Sequence, residues 1–259
     1  MDRTPDEKIK ELRARMEEKG IDAYIIPTDD YHLSEYVGEY FKEREFMSGF
    51  TGSAGTLVVT KERAALWTDG RYFLQGAQQL AKSSIELMKM GQPGVATVEE
   101  FLAVELEPHS RIGFDGRTVT AAYVEALLKK TAKKQMTVWA QEDLVDAIWK
   151  DRPAISKEPV WELKTEYAGV SREEKLQGLR AQMQEEGADA LLLTALDEIA
   201  WVLNLRGNDV RNTPVFLSYM LVTGEKAELC VHGEILSDEI KGKLRAAGVE
   251  IREYEAIDA

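Results

Sequence analysis

The stretch Glu7-Lys8-Ile9-Lys10-Glu11-Leu12-Arg13-Ala14-Arg15-Met16-Glu17-Glu18-Lys19-Gly20-Ile21-Asp22-Ala23-Tyr24-Ile25-Ile26 is told again at Glu174-Lys175-Leu176-Gln177-Gly178-Leu179-Arg180-Ala181-Gln182-Met183-Gln184-Glu185-Glu186-Gly187-Ala188-Asp189-Ala190-Leu191-Leu192-Leu193. Ten of the twenty aligned positions are identical, and four of the others exchange one aliphatic residue for another. A second block agrees at a slightly shorter offset. Val59-Thr60-Lys61-Glu62 falls on Val222-Thr223-Gly224-Glu225, Leu66 on Leu229 and Gly70 on Gly233. Self-similarity at so long a period means two copies of one domain, not a solenoid of short units.

Each copy opens with the same device. Ile9, Leu12 and Met16 stand at helical spacing, and Gly20 is a natural residue to end that helix in the left-handed conformation. Ala23–Ile26 then reads as a short apolar strand stopped by Pro27. Working outward in copy one, Leu57–Thr60 and Ala64–Trp67 form a hairpin around Lys61-Glu62-Arg63. Asp69 caps a helix carrying Tyr72, Phe73, Ala77 and Leu80, and Thr97 caps another from Val98 to Leu106. Strands follow at Ile85–Met88, Ile112–Phe114 and Met136–Val138, with helices at Ala121–Lys130 and Asp143–Trp149. In copy two the pattern predicts helices at Glu174–Glu186, Asp197–Leu203 and Leu236–Ala247. Its strands are expected at Ala190–Leu193, Phe216–Val222, Ala227–Val231 and Val249–Arg252. The fold class is therefore α/β, a tandem repeat of two similar domains, each with a mixed sheet flanked by helices. The boundaries are 1–152 for the first domain, 153–170 for a linker marked by Pro153 and Pro159, and 171–259 for the second. By the second offset Ala259 falls near Ala96, so copy two is expected to be truncated at its C-terminus.

Composition narrows the function. With 44% hydrophobic and 31% charged residues the chain is globular, and its 259 residues give each copy room for a core. A net charge of −13 argues against a nucleic-acid partner and against an anionic membrane surface. Cys230 is the single cysteine, which excludes a disulfide framework and a thiolate metal cluster. No apolar h-region follows Asp2-Arg3-Thr4-Pro5, so a cytoplasmic location is expected.

Local signals for chemistry are few. Gly49-Phe50-Thr51-Gly52-Ser53-Ala54-Gly55 offers an anion cradle or a nucleophile elbow at Ser53, but the elbow needs glycine where Thr51 stands, so a tight turn into the hairpin is the better reading. Trp67-Thr68-Asp69-Gly70-Arg71-Tyr72 places a carboxylate, a guanidinium and two aromatics together. Here Arg71 is the candidate binding residue of copy one, since it starts a helix beside an exposed turn with no helical partner obliging it to stay there. The loop Leu205-Arg206-Gly207-Asn208-Asp209-Val210-Arg211-Asn212 falls where Gly52-Ser53 falls in copy one. Arg206, Asn208 and Arg211 on it present donors for a peptide carbonyl or carboxylate, with a plain solvated loop as the equal alternative. His32, His109 and His232 fit no metal spacing, and Asp29-Asp30 beside His32 reads as a turn. No catalytic residue and no metal ligand is expected in this chain.

Phe46-Met47-Ser48-Gly49-Phe50-Thr51-Gly52-Ser53-Ala54-Gly55-Thr56, followed by Leu66-Trp67-Thr68-Asp69-Gly70-Arg71-Tyr72-Phe73, resembles the first domain of the Xaa-Pro aminopeptidases (aminopeptidase P), in their longer eukaryotic-type branch. Leu196-Asp197-Glu198-Ile199-Ala200-Trp201 through Val210, then Pro214-Val215-Phe216, is similar to the second domain of that branch. The resemblance implies two creatinase N-terminal-type domains that precede a pita-bread catalytic domain absent here. It implies a parent metallopeptidase that removes the N-terminal residue preceding proline, using two divalent metals, usually manganese, on ligands with no counterpart in this chain. This region is then non-catalytic and shapes substrate access and assembly. Its partners would be its own C-terminal catalytic domain, the peptide substrate and, in a homodimer, a second copy. Two rivals remain on the sequence: a freestanding α/β binding module, and a hydrolase using Ser53.

Overall fold

A computed structural model describes residues 3–258. The chain divides into two compact units between Ala154 and Ile155.

The first unit runs α1 (Pro5–Lys19), β1 (Ala23–Ile26), α2 (Glu43–Ser48), β2 (Thr56–Thr60), β3 (Ala64–Thr68), α3 (Phe73–Leu80), β4 (Glu86–Lys89), α4 (Val98–Glu105), β5 (Arg111–Gly113), α5 (Ala121–Lys130) and β6 (Thr137–Trp139). Its six strands lie in the order β4-β3-β2-β1-β5-β6. The central β1-β2-β3 meander is antiparallel, while β3–β4, β1–β5 and β5–β6 are parallel. Both faces are covered, so the strand periodicity of two sends alternate residues to two cores. Tyr24, Ile26, Leu57, Val59 and Leu66 pack with Ile9, Leu12 and Met16 of α1. Ile25, Val58, Ala65 and Trp67 pack with Phe101 and Leu102 of α4 and Leu127 of α5.

The second unit runs β7 (Trp161–Glu162), α6 (Thr165–Ala168), α7 (Arg172–Glu186), β8 (Ala190–Leu193), α8 (Leu196–Leu203), β9 (Leu205–Arg206), β10 (Ser218–Thr223), β11 (Ala227–Val231), α9 (Asp238–Ala246) and β12 (Val249–Arg252). The main sheet is β12-β11-β10-β8, and β7 pairs separately with β9. The stretch 153–170, expected to be a linker, thus carries a strand and a helical turn. They form because Leu163 N–H donates to the Asn204 carbonyl and Val160 N–H to that of Ile235, giving this backbone partners inside the unit.

The repeat extends to individual bonds. Thr4 and Glu7 cap α1 reciprocally, as Ser171 and Glu174 cap α7, and Gly20 and Gly187 end the two helices at φ 66° and 67°. Arg13 Nε donates to the Thr60 carbonyl at 2.8 Å, and Arg180 Nε to the Thr223 carbonyl at 3.0 Å. Lys8 Nζ donates to the Phe46 carbonyl at 2.7 Å beneath the Phe46 ring, and Lys175 Nζ does the same at Trp201 at 2.7 Å. The helix after the first strand therefore corresponds in the two units, ending at left-handed Gly49 in one and Asn204 in the other.

Two expectations need correction. The helix expected at Asp143–Trp149 is a run of turns. Asp143 Oδ1 accepts from the N–H groups of Val145 and Asp146, and Arg152 draws its other oxygen, so the carboxylate competes with helical bonding. The helix expected to start at Asp69 begins only at Phe73. Asp69 instead caps a short 3-10 turn, Gly70–Tyr72, by accepting from Arg71 N–H.

The second unit differs from the first in one respect that matters energetically. Ala23 and Ile25 are buried at 0% and 2% exposure beneath α4 and α5, whereas their counterpart Leu192 is 50% exposed. Among the described residues, β8 pairs only with β10 and is an edge strand, while β1 has β5 on its other side.

Candidate functional site

The two motifs singled out in the first unit come together at the carboxyl end of β3. Arg44 on α2 is the organiser. It is 4% exposed and donates from Nη1 to the Phe50 carbonyl, from Nη2 to the Gly52 carbonyl at 2.5 Å and from Nε to Thr28 Oγ1 at 2.8 Å. A guanidinium can serve three acceptors because its donors form a fixed fork. Burial lowers its pKa to about 10, which keeps it charged at neutral pH. The loop is thereby pulled so close to the Phe50 ring that a Cβ at Gly52 would lie 2.3 Å from it.

The far side of the loop docks on the Asp69–Tyr72 turn. Ser53 and Tyr72 share a hydroxyl–hydroxyl bond of 2.7 Å, and Thr68 Oγ1 donates to the Ala54 carbonyl at 2.7 Å. Among the described residues the partner of the Ser53 hydroxyl is this phenol and not the histidine that a serine nucleophile would use as its base. Arg71 is exposed but not free. It makes a two-point pair with Asp69, Nε to Oδ1 at 3.0 Å and Nη2 to Oδ2 at 2.9 Å, and lies over the Tyr72 ring. Its partner is thus the carboxylate that precedes the turn, and the pair gives Arg71 a fixed direction while leaving two-fifths of its contact surface covered and the rest open. Its hydrogen bonds hold the Asp69 carboxyl below the usual range.

In the second unit, Arg206 ends β9, and Asn208 and Arg211 lie on the loop between β9 and β10. Gly207 occupies the place of Gly52, three residues beyond the left-handed helix end, and is glycine for the same kind of reason: a Cβ would meet the Val215 carbonyl at 2.7 Å. Asp209 ties the loop from within by accepting from Leu217 N–H at 2.7 Å, and burial pushes its carboxyl up. Arg206 turns back on its own element, donating to the carbonyls of Ala200 and Leu205 at 2.8 Å each. That places it as a helix-end brace in addition to any ligand role. Asn208 and Arg211 are exposed at the loop tip.

Sequence reasoning missed the most charged interior of the protein. Glu43, Asp115 and Asp143 gather with oxygens within 4.8 Å, the only such group found among the described residues. Arg152 fills it, pairing Glu43 and Asp143 at 2.5 Å each with its side chain 5% exposed. A guanidinium already sits where a cation would, so this cluster does not fit a metal ion. Burial, then the neighbouring Asp143, pushes Glu43 well above the usual carboxylate range. His32, His109 and His232 take no part in it. The other omission is Asp29, read as a turn residue, which lines a cavity described below.

Comparison with known proteins agrees with the repeat. The pattern of the creatinase/prolidase N-terminal domain matches residues 8–148, and a second pattern of the same description matches residues 151–259. Aminopeptidase P2 of Arabidopsis thaliana is 46% identical over 259 residues, spanning 97% of this chain and 36% of its own. Aminopeptidase P1 of the same plant is 43% identical, spanning 90% of this chain and 36% of its own. The chain thus covers little more than a third of the length of these relatives. Among solved structures, the X-prolyl aminopeptidase of Caenorhabditis elegans, a cytosolic enzyme with a di-nuclear active site, superposes with a TM-score of 0.93 at 35% identity. It covers 98% of this chain and 43% of its own. The chain belongs to the creatinase/prolidase N-terminal domain family and carries two such domains in tandem.

Proposed function

We propose that this chain is the non-catalytic N-terminal region of a metal-dependent Xaa-Pro aminopeptidase, which removes the N-terminal residue preceding proline. The observation that carries the reading is the 46% identity sustained over 97% of the chain to a relative named aminopeptidase P2, while the single acid cluster among the described residues is closed by Arg152. Two divalent metals, manganese in the first instance, would sit on ligands of a catalytic domain that follows in the same protein. The partners are that domain, the peptide substrate and a second copy in a homodimer. A cytoplasmic setting is consistent with the cytosolic relative, and no helix among the described residues is long and apolar enough to cross a membrane.

In this reading the two domains shape access to the catalytic centre, with Arg71, Arg206, Asn208 and Arg211 as substrate contacts. Arg71 is the strongest of the four, because Asp69 and Tyr72 hold an exposed guanidinium in one orientation without consuming all its donors. The 259-residue chain alone, given manganese and a Gly-Pro-type peptide, is expected to show no turnover above buffer. Chelator-sensitive hydrolysis would overturn the assignment of catalysis to another domain. In the longer protein, Arg71→Ala should raise KM about tenfold with the melting temperature unchanged, as expected for loss of one charged contact. Arg206→Ala should also lower stability, since two carbonyls lose their donor. Unchanged KM in both variants would make these arginines structural.

A further inference from the structure

The first unit contains a cavity of about 570 Å³ at the carboxyl ends of β1 and β3, between the starts of α4 and α5. Ile25, Pro27, Trp67, Val98, Val119 and Tyr123 give it an apolar wall, and Leu33 and Met90, 47% and 51% exposed, stand at its rim. One wall comes from residues 27–42, a segment between the first strand and the next helix. The second unit has only Thr194 and Ala195 at that place, so this cavity is not a property of the repeated fold.

Asp29 lines the cavity and lacks the cation that four other aspartates of the first unit have, while the adjacent Asp30, also without a cation, accepts from the N–H groups of His32 and Ser34. Asp22 pairs with Lys61, Asp69 with Arg71, Asp115 with Arg117 and Asp143 with Arg152. Asp29, partly buried, has no ion pair and no hydrogen bond among the described residues. Glu99 is the second acid on the lining, and no lysine, arginine or histidine lines it. The helix starts do not reverse this field: Thr97 already accepts from Glu100 N–H and Thr120 from Tyr123 N–H, and the two carboxylates disfavour an anion. A carboxyl without a partner beside an apolar hollow calls for a ligand with a hydrocarbon body and one cationic end.

We propose that this cavity binds an apolar primary amine, its hydrocarbon against Ile25, Trp67 and Tyr123 and its ammonium against Asp29. Burial, reinforced by the adjacent Asp30, pushes the Asp29 carboxyl up to about 7, so the empty site is about half protonated at neutral pH and an ammonium favours its ionised form. The groups facing Asp29 are Asp30 on its own segment and, across the cavity, Glu99 at the start of α4 and Tyr123 on α5. Glu99 raises the Tyr123 phenol further, so Tyr123 stays neutral. Affinity should therefore rise with pH through about 7 and fall about a hundredfold between pH 8 and pH 5, the change in the ionised fraction of Asp29.

The test is titration of the 259-residue chain with 3-phenylpropylamine, followed by calorimetry and by tryptophan fluorescence, with Trp67→Phe assigning the optical signal. Saturable binding at pH 8, a hundredfold loss at pH 5 and no binding of 3-phenylpropionate support the proposal. Asp29→Asn should weaken the amine at least about tenfold at pH 8 and abolish the pH dependence, with circular dichroism showing the fold retained. Glu99→Gln, further along the wall, should weaken it less than about threefold. If Asp29→Asn fails to fold, comparison of the amine with 3-phenylpropanol on the natural chain decides the question, because only the amine should be pH dependent. Equal binding of amine and alcohol, preference for the carboxylate, or no saturation because a second copy fills the cavity would each overturn it.

Discussion

Arg152→Ala is expected to destabilise the first unit by about 3–5 kcal/mol, the cost of removing one partner from a buried ion pair. The guanidinium donates to Glu43, to Asp143 and to the Tyr40 carbonyl, and packs 3.8 Å over the Tyr40 ring. Without it Glu43 and Asp143 face each other inside the protein and lose their shared cation, with Asp115 close by and held by Arg117. Lysine should not restore the loss, because a single ammonium cannot span acceptors on two elements and the Tyr40 carbonyl at once. Glu43→Gln placed on top of Arg152→Ala should recover part of it by removing one buried acid. Urea unfolding of the three variants, with the two units followed by separate probes, measures this. A loss below about 1 kcal/mol for Arg152→Ala would mean that water reaches the cluster and that the contact between residues 143–152 and α2 is not what closes the first unit.

Hydrogen exchange should separate the two units as sharply. The amides of β8 are expected to exchange at least about a hundredfold faster than those of β1, although the two strands hold the same place in the repeat. Ala23–Ile26 is buried throughout and flanked by β2 and β5. Ala190–Leu193 has β10 on one side only, and Ala190 and Leu192 are exposed on the face that α4 and α5 cover in the first unit. An edge strand with an open apolar face can fray without breaking a core. Equal protection of the two strands would show that the second unit is as cooperative as the first without that cover. The same open edge predicts where added chain in the longer relatives would restore protection, beside Leu191 and Leu192.

Most of the architecture was legible because its signals are local. Apolar residues at i, i+3 and i+7 and a terminal glycine are both read within one helix, and α1 and α7 obey them. The hairpins were equally plain, since two apolar runs separated by two or three polar residues have one economical closure. What escaped was structure whose reason lies far along the chain. Lys42-Glu43-Arg44-Glu45 has the hydropathy of a solvated surface, yet Glu43 and Arg44 are 7% and 4% exposed. Glu43 meets its partner Arg152 across 109 residues, and Arg44 is surrounded by the backbone of a loop it creates. No periodicity records a charge that is buried because its partner is buried with it.

The candidate site divides in the same way. Arg71 stands out in the sequence by the company it keeps, but that Asp69 grips it at two points and Tyr72 underlies it is a matter of backbone direction after β3. Arg206 looked like a free donor and is half committed to the end of α8, because left-handed Asn204 turns the chain back over the Ala200 carbonyl. Asp29 looked like one more turn acid, and its lack of a partner is visible only when every neighbouring cation is accounted for.

By itself, then, the sequence determined the number of domains, their α/β class and their kinship to each other, since each rests on pattern within short windows or on repetition. Tertiary structure alone decided which charges are interior and which arginines are held and by what. Those depend on pairings between residues far apart in the chain, where burial changes the energy of a charge by more than any local preference does.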